Sequence, residues 1–535
     1  MAMETPAGTL NTPASVGAAA LPRRSLGGLI AISIFWFAIN FHWAALQQII
    51  IPAQVNGLLF EQAPGATSAQ RLTFSGNNSP LLIALVAAPG LVIALIGNPL
   101  FGLLSDRTRS RFGRRKPYVL VGALFNVVGL VVMAFGPNLF LHERSGQTLS
   151  LSLVALMVGL MITQAANNAA AAPFHAFLPD LVPPEQRGAA SGIMGIALFL
   201  GQILGFVVPA LTGFDNGRLA RGEQTYAGFS GGVALAYIVV AAVVVLMAVL
   251  TFITVHEMQP SAQQQGAGVH AGDGHTWRDL AVTVLVTAGV SAVLIVGLQA
   301  GLGPGLNADS LGVVQLIAVV IAGIGAARAF GFSPRRAPDF SWVVLTRMLV
   351  MMGIYTVQYF MFNYMLYVVR APEPVSATTI FFVLVTITAL ISTLIAGRAS
   401  DRFGRKRMVY VSGTFMAIVG AVFVFAPYIV PGNLLLLAYG AATIFGLGYG
   451  AYISVDWALV ADVLPDERTY ARDMGVWNIG LTLPQVIATV LGAWFIALGT
   501  ALVSQQFGYT LLFVWFVIFC VLGTVTVRYI KGVPR

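Results

Sequence analysis

The sequence predicts an all-α integral membrane protein: two pseudo-symmetric six-helix bundles with about two extra helices between the halves. Three observations predict it. Of 535 residues, 57% are hydrophobic and 9% charged, where a soluble domain carries about 25% charged residues. Apolar runs of membrane-spanning length, about 20 residues each, recur along the whole chain. And a basic loop at 102–117, GLLSDRTRSRFGRRKP, returns shortened at 397–407 as GRASDRFGRKR, each copy between two apolar runs. Charges this dense cannot lie in hydrocarbon, where each costs about 3 kcal/mol or more. Both loops therefore sit at a membrane surface, and their positive sign assigns it to the cytoplasmic side.

The elements follow in order. Residues 1–25, rich in Ala, Pro and Thr, lack the basic start and short apolar core of a cleaved signal and read as a cytoplasmic tail. Spanning helices are expected near 27–52, 81–104, 117–136, 149–178, 189–213, 231–255, 281–300, 311–330, 342–368, 376–397, 408–429, 433–462, 474–499 and 508–530, about fourteen in all. Arg23 and Arg24, the first basic loop and the Arg335–Arg336 pair fall on one side, which puts both termini in the cytoplasm. Opposite loops hold near-balanced charge: Glu61 with Arg71, Glu143 with Arg144, Asp215 and Glu223 with Arg218 and Arg221. Segment 53–80 reads as the longest outer loop, and Asn77-Asn78-Ser79 in it matches a glycosylation triplet. The net charge of +9 is explained by loops facing lipid head groups, so nucleic acid is not an expected partner. The one cysteine, Cys520, excludes an internal disulfide and a cysteine metal cluster. No metal or cofactor is expected.

A second repeat fixes the halves. Residues 192–202, GIMGIALFLGQ, align with 475–485, GVWNIGLTLPQ; just upstream, DLVPPE at 180–185 aligns with DVLPDE at 462–467. Runs four and five thus recur as runs twelve and thirteen in the same orientation. The domain reading is a tail at 1–25, one bundle at 26–256, a linker with two extra helices at 257–340, and a second bundle at 341–535. Parallel halves about an axis normal to the membrane are the plan of a two-bundle carrier, with its site between them at mid-depth.

The form G-x-L-x-S-D-R…R-x-G-R-R-K-P at 102–117 resembles the major facilitator superfamily. Within it, the motif is similar to the glycoside–pentoside–hexuronide and sucrose–proton symporters, as are Ala166-Asn167-Asn168 and the segment AFLPD at 176–180. The resemblance spans both bundles but neither the tail nor the extra pair. It implies a latch. Asp106 would face the helix starting near Gly475, and Arg114 would pair with Asp180. Asp401 would face the helix starting near Ala189, and Arg405 would pair with Asp462. The bland alternative is a topology determinant only.

Polar groups within spans must be satisfied internally or line a wet cavity. Trp36, Asn40, Trp43 and Gln47 share one helical face, with His42 beside it; Gln164, Asn168 and His175 share another. Arg347 and Gln358 share a face with Tyr355 close by, as do Tyr449, Tyr452 and Asp456, and Asn478 and Gln485. Amides and phenols can meet sugar hydroxyls, and Trp36 and Trp43 can stack on sugar C–H faces. The alternatives are interfacial anchoring of the aromatics, which is preferred for Trp457, and helix joining by the amides. Asp456, well inside its span, is the candidate for proton coupling; its alternatives are a fixed pair with Arg347 or an end cap. His175 is a second titrating candidate. Arg347, near the start of its span, is expected to snorkel. Gln164 stands where the resembling sucrose porters carry an acid, so sucrose itself and proton symport do not follow automatically.

These features describe a secondary transporter for a small solute, a sugar or glycoside, crossing the cytoplasmic membrane by alternating access, with protons or sodium as coupling ions. Two rivals remain: a proton-driven drug or metabolite efflux antiporter, which also runs to about fourteen helices, and a non-transporting membrane solute sensor. An enzyme is not expected, since no phosphate-binding glycine loop, metal-ligand spacing or nucleophile–base pair is present.

Overall fold

A computed structural model of the chain describes residues 22–62, 66–108, 110–141, 151–257, 308–329, 334–335, 337–463 and 470–531, with a few isolated positions between 278 and 290. The first half holds α1 (Leu26–Ala45), α2 (Ile51–Glu61), α3 (Ser68–Arg107), α4 (Lys116–Leu139), α5 (Leu151–His175), α6 (Phe177–Leu181), α7 (Arg187–Leu211), α8 (Asn216–Ala220) and α9 (Tyr226–Thr254). Between the halves the described residues include the helix α10 (Ala308–Ala329). That half holds α11 (Pro338–Tyr367), α12 (Pro374–Phe403), α13 (Arg405–Ile429), α14 (Leu434–Val463), α15 (Tyr470–Leu502) and α16 (Gln505–Thr526). Among the described residues, twelve helices are long and apolar enough to cross a membrane. The expected run at 281–300 lies almost wholly outside the described residues. The run expected at 311–330 falls on the helix α10, which is not one of the twelve; its apolar stretch, Leu316–Gly325, is shorter.

The halves repeat one packing plan. In the first, α1 lies on α7 and α5 on both α3 and α4; in the second, α11 lies on α15 and α14 on both α12 and α13. The tightest seams need glycine. A Cβ on Gly205 would stand 2.3 Å from the Phe41 carbonyl oxygen, and one on Gly450 would stand 2.2 Å from that of Ala389. At those points two backbones touch, the mode of association open to helices that gain nothing from leaving lipid for one another. Outward faces carry apolar side chains at helical spacing, as in α4 with Val121, Leu124, Phe125, Val128, Val131 and Phe135 exposed. Such a surface requires hydrocarbon around it.

The halves meet along two seams, α7 with α12 and α3 with α15, and α10 packs against both helices of the second seam. There Leu95, Ala322 and Ile479 form their own small apolar cluster.

The first and last described segments reach the face that carries the basic loops. The Arg24 amide donates to Gln186 Oε1 (2.7 Å) and its Nε to the Leu181 carbonyl (3.1 Å). The Lys531 amide donates to Asp339 Oδ1 (2.9 Å), and Lys406 donates to the Ile530 carbonyl. Helices α3 and α12, ending in the two basic motifs, terminate on this same face.

The expected outer loop at 53–80 is a misreading. The chain stays helical through Glu61 and resumes at Ser68, leaving a short connection. Polar residues suggested a loop, yet Gln54, Asn56, Ser75 and Ser79 are buried against the other helices. Asn77 and Asn78 lie within helix α3 and Ser79 is fully buried, which no glycosylated loop would be. Between α1 and α2 the helix widens into one π turn at Leu46–Ile50. Pro52 explains it: the ring has no N–H and crowds the carbonyl four residues back, and a π turn relieves that crowding. Such turns recur at functional sites.

Candidate functional site

Along α1, exposure follows a stripe. Trp36, Asn40, Trp43 and Gln47 are each partly open, while every residue from Gln48 to Phe60 is buried. The stripe faces a crevice between the halves, and its floor is lined by Trp43, Gln47, Leu91, Gln164 and Tyr359. Gln47 donates to the Tyr359 hydroxyl across the two halves. Next to it on α11, Tyr355 accepts from Gln485 Nε2 (2.8 Å), and Gln358 is partly open.

From this floor to the face opposite the basic loops the crevice is sealed by uncharged polar groups. Asn56 Nδ2 donates to Asn363 Oδ1 (2.9 Å), Asn363 Nδ2 to Ser79 Oγ (3.1 Å) and Ser75 Oγ to Asn56 Oδ1 (2.7 Å). The Tyr367 hydroxyl meets Ser75 Oγ at 2.6 Å and also donates to Asn56. Asn56, Asn363, Ser75 and Ser79 are all 0% exposed. The plug extends along α11 from Tyr359 to Tyr367, about 12 Å by helix rise. Beyond it, Thr379 donates to the Phe206 carbonyl (3.0 Å), and the Phe206 and Phe382 rings stack at 5.0 Å. The basic half of the same seam is open: a Cβ on Gly188, Gly192, Gly195 or Gly397 would meet nothing within 4 Å. The crevice therefore opens toward the basic face.

Beside the crevice lies a buried charge cluster. Arg347 Nη1 pairs with Asp456 Oδ2, and the two side chains are 4% and 2% exposed. The Tyr452 hydroxyl donates to Asp456 Oδ1 (3.1 Å), and the Arg347 guanidinium lies 3.4 Å from the Trp477 ring centroid. Arg347 does not snorkel, contrary to expectation. A guanidinium paired with a carboxylate and stacked on an indole is held in place, although its Nε has no hydrogen-bond partner among the described residues. Asp456 is thus paired with Arg347 in this conformation.

The remaining candidates divide. Asn40 and Asn168 spend an amide N–H on their own helices, at the Trp36 and Gln164 carbonyls (2.8 Å each), leaving the amide oxygens. Tyr452 stands behind the lining, committed to Asp456. Tyr449 is partly open, stacked on Phe445. His175 sits edge-on to Trp36 at 4.8 Å, in the half opposite to that of Asp456. The side chains of Asn478, Trp457, Asp106, Asp401 and Asp462 lie outside the described residues. Arg114 Nη2 is 2.7 Å from Asp180 Oδ2, while Arg405 lies at the start of α13.

Sequence reasoning missed several residues. Tyr359 forms the crevice floor, though its i+4 spacing from Tyr355 marks it. Arg115 joins Arg114 on Asp180 (2.6 Å). Glu257, just beyond α9, accepts from the amides of Arg114 (2.7 Å), Arg115 (3.2 Å) and Lys116 (2.7 Å). One carboxylate thus caps the start of α4, where its charge suits the helix dipole. The plug residues were assigned to a loop and so escaped notice.

Two helical halves enclosing a one-sided crevice at mid-depth define the class: a two-bundle membrane carrier. The family model of the Major Facilitator Superfamily matches residues 25–370 and 343–535, and the chain belongs to that family, one of transporters and not of enzymes. The chain is similar to sucrose transport protein SUC3 of Arabidopsis thaliana, 30% identical over 125 residues, which is 22% of this chain and 21% of that protein. It is also similar to the human proton-associated sugar transporter A, 25% identical over 254 residues, 46% of this chain and 30% of that one. The matched region is thus under a third of either relative. A solved structure of the xylose transporter XylE from E. coli, in a partially occluded inward-open conformation, superposes with a TM-score of 0.56 at 16% identity, over 93% of this chain and 98% of that one. It supports the fold.

Proposed function

We propose that the protein carries a sugar or glycoside across the cytoplasmic membrane by alternating access, coupled to protons, and that the basic face with both termini is cytoplasmic. On that assignment the structure is inward-open. One observation carries the reading: the crevice floor offers a flat ring (Trp43) and neutral hydrogen-bonding groups (Gln47, Gln164, Tyr359), Trp36, Gln358 and Gln485 are partly open on the same helices or their neighbours, and charge is set aside in the Arg347–Asp456 pair. Neutral donors and acceptors with aromatic faces suit a polyol, whereas an apolar cation would call for a less polar, acid-lined cavity. The names of the relatives, sucrose transport and proton-associated sugar transport, agree.

Asp456 is the coupling group in this reading: a proton there would release Arg347 and change the α11–α14–α15 packing. Asp106, Arg114, Asp180, Asp401, Arg405 and Asp462 form the cytoplasmic latch, closed when the opposite side opens, with Arg115 and Glu257 positioning the loop. The test is uptake of radiolabelled sucrose, maltose and xylose into proteoliposomes, with and without an imposed pH gradient, for the parent and Asp456→Asn. Gradient-driven uptake of one sugar, lost in Asp456→Asn, is expected. Uptake that ignores both gradient and substitution removes proton coupling through Asp456. Binding of bulky apolar cations without sugar uptake would replace the reading with efflux, and sugar binding without flux would replace it with sensing.

A further inference from the structure

On the face opposite the basic loops, one carboxylate joins the two halves. Asp215 follows α7 and is 5% exposed. Its Oδ1 accepts from the amides of Gly217 (2.8 Å) and Arg218 (3.1 Å), capping α8 in the first half. Its Oδ2 accepts from the amide of Val375 (3.2 Å), in the first turn of α12 in the second half. That amide belongs to the orphan set at a helix start, with no acceptor inside its own helix. The surroundings are tight. A Cβ on Gly217 would stand 2.2 Å from the Pro372 carbonyl oxygen, and Arg221 Nη1 donates to the same oxygen (2.9 Å). The Asp215 amide donates to Gln224 Oε1 (3.0 Å), fixing the residue from its backbone side.

We propose that Asp215 is a proton-responsive clasp of the gate opposite the basic face: ionised, it ties α8 to α12 and holds that gate shut; protonated, it lets go of α12. The chemistry is simple. A carboxylate is all acceptor, and its two oxygens here serve three N–H donors. A proton turns one oxygen into a donor. That oxygen then confronts the Val375 N–H donor to donor, while the other can still cap α8. The charged groups facing Asp215 are Arg221, just beyond α8, and Glu373 at the start of α12. Burial, the largest influence, and the Glu373 carboxylate both work against the Asp215 charge, which three N–H donors hold. Glu223 is a poor competitor for the proton, because the hydrogen bond from Arg221 holds its carboxyl below the usual range. With this face outside, an acidic exterior would open the gate to the side from which protons arrive.

This inference rests on alternating access and on the outward assignment of this face, but not on the sugar. Its test therefore reads distance without a substrate. In a Cys520→Ser background, spin labels at Ala227→Cys and Asn433→Cys, both exposed on this face in opposite halves, report the gate in nanodiscs between pH 8 and pH 5. Acidification is expected to shift the parent toward the longer distance, its open population rising by up to about tenfold per pH unit, the limit for one proton. Asp215→Asn places an amide N–H against Val375, and Asp215→Ser still caps α8 without reaching α12. Both variants are expected to show the longer distance at every pH. A parent without a pH response, or variants that retain it, would overturn the clasp. Sugar uptake is measured on the same variants reconstituted into proteoliposomes. Distances that respond without uptake refute the substrate reading alone, and uptake with unresponsive distances refutes the clasp alone.

Discussion

The Arg347–Asp456 pair gives the most exacting test of the structural reasoning. Both side chains are almost completely buried, at 4% and 2% exposure, so each ion has exchanged water for its partner and a few neighbours. Asp456→Leu would leave the guanidinium charged, with the Trp477 ring and nearby phenols as its compensation. Removing one partner of a buried pair costs about 3–5 kcal/mol, and stacking on an aromatic face returns about 2 kcal/mol at best. That stacking is already present in the parent, so it does not reduce the loss. The folded-to-unfolded ratio should fall at least a hundredfold. Replacing both residues, Arg347→Met with Asp456→Leu, removes the desolvation penalty together with the attraction, and such exchanges are often neutral or stabilising. Denaturant unfolding in detergent, followed by intrinsic tryptophan fluorescence, should therefore show a large loss for the single variant and recovery to near the parent for the double. Uptake by the double variant should ignore the pH gradient despite its restored stability. A single variant as stable as the parent, or a double variant whose loss equals the sum of the two singles, would refute the pair.

Three further outcomes follow. Tyr359→Phe removes the hydroxyl that Gln47 meets at the crevice floor; the apparent KM for sugar should rise up to about tenfold, the scale of one net hydrogen bond, with thermal stability little changed. Gly205→Leu drives a side chain into the Phe41 carbonyl, 2.3 Å from the first added carbon; backbone cannot yield as a flexible side chain does, so monodisperse protein should be lost in size-exclusion chromatography, while Gly192→Leu, with nothing within 4 Å, should fold. Glu257→Ala uncaps the three amides at the start of α4, and trypsin should then cut the basic loop at 107–116 several-fold faster, with Glu257→Gln intermediate because one amide oxygen still accepts.

Much of the architecture was legible because a bilayer simplifies the code. Apolar runs must be helices, basic loops mark one face, and the doubled motifs made the halves parallel. The stripe Trp36, Asn40, Trp43 and Gln47 was legible too, since a polar face on an apolar helix has few uses. The segment 53–80 was not, because the same logic that reads apolar as membrane reads polar as loop. Asn56, Ser75, Ser79 and Asn363 are polar and buried together, linked to one another from three helices. Arg347 was misjudged for the same reason: its partners Asp456 and Trp477 lie 109 and 130 residues downstream.

The sequence by itself determined that the chain crosses a membrane many times, that it is a duplicated unit, and which helix faces are polar. Those properties depend on local composition and spacing, and the solvent enforces them residue by residue. The tertiary structure alone decided which polar groups line the crevice and which satisfy one another, and which face the crevice opens to. Such distinctions depend on what stands opposite each side chain, and a buried polar group can be assigned only when its partner is known.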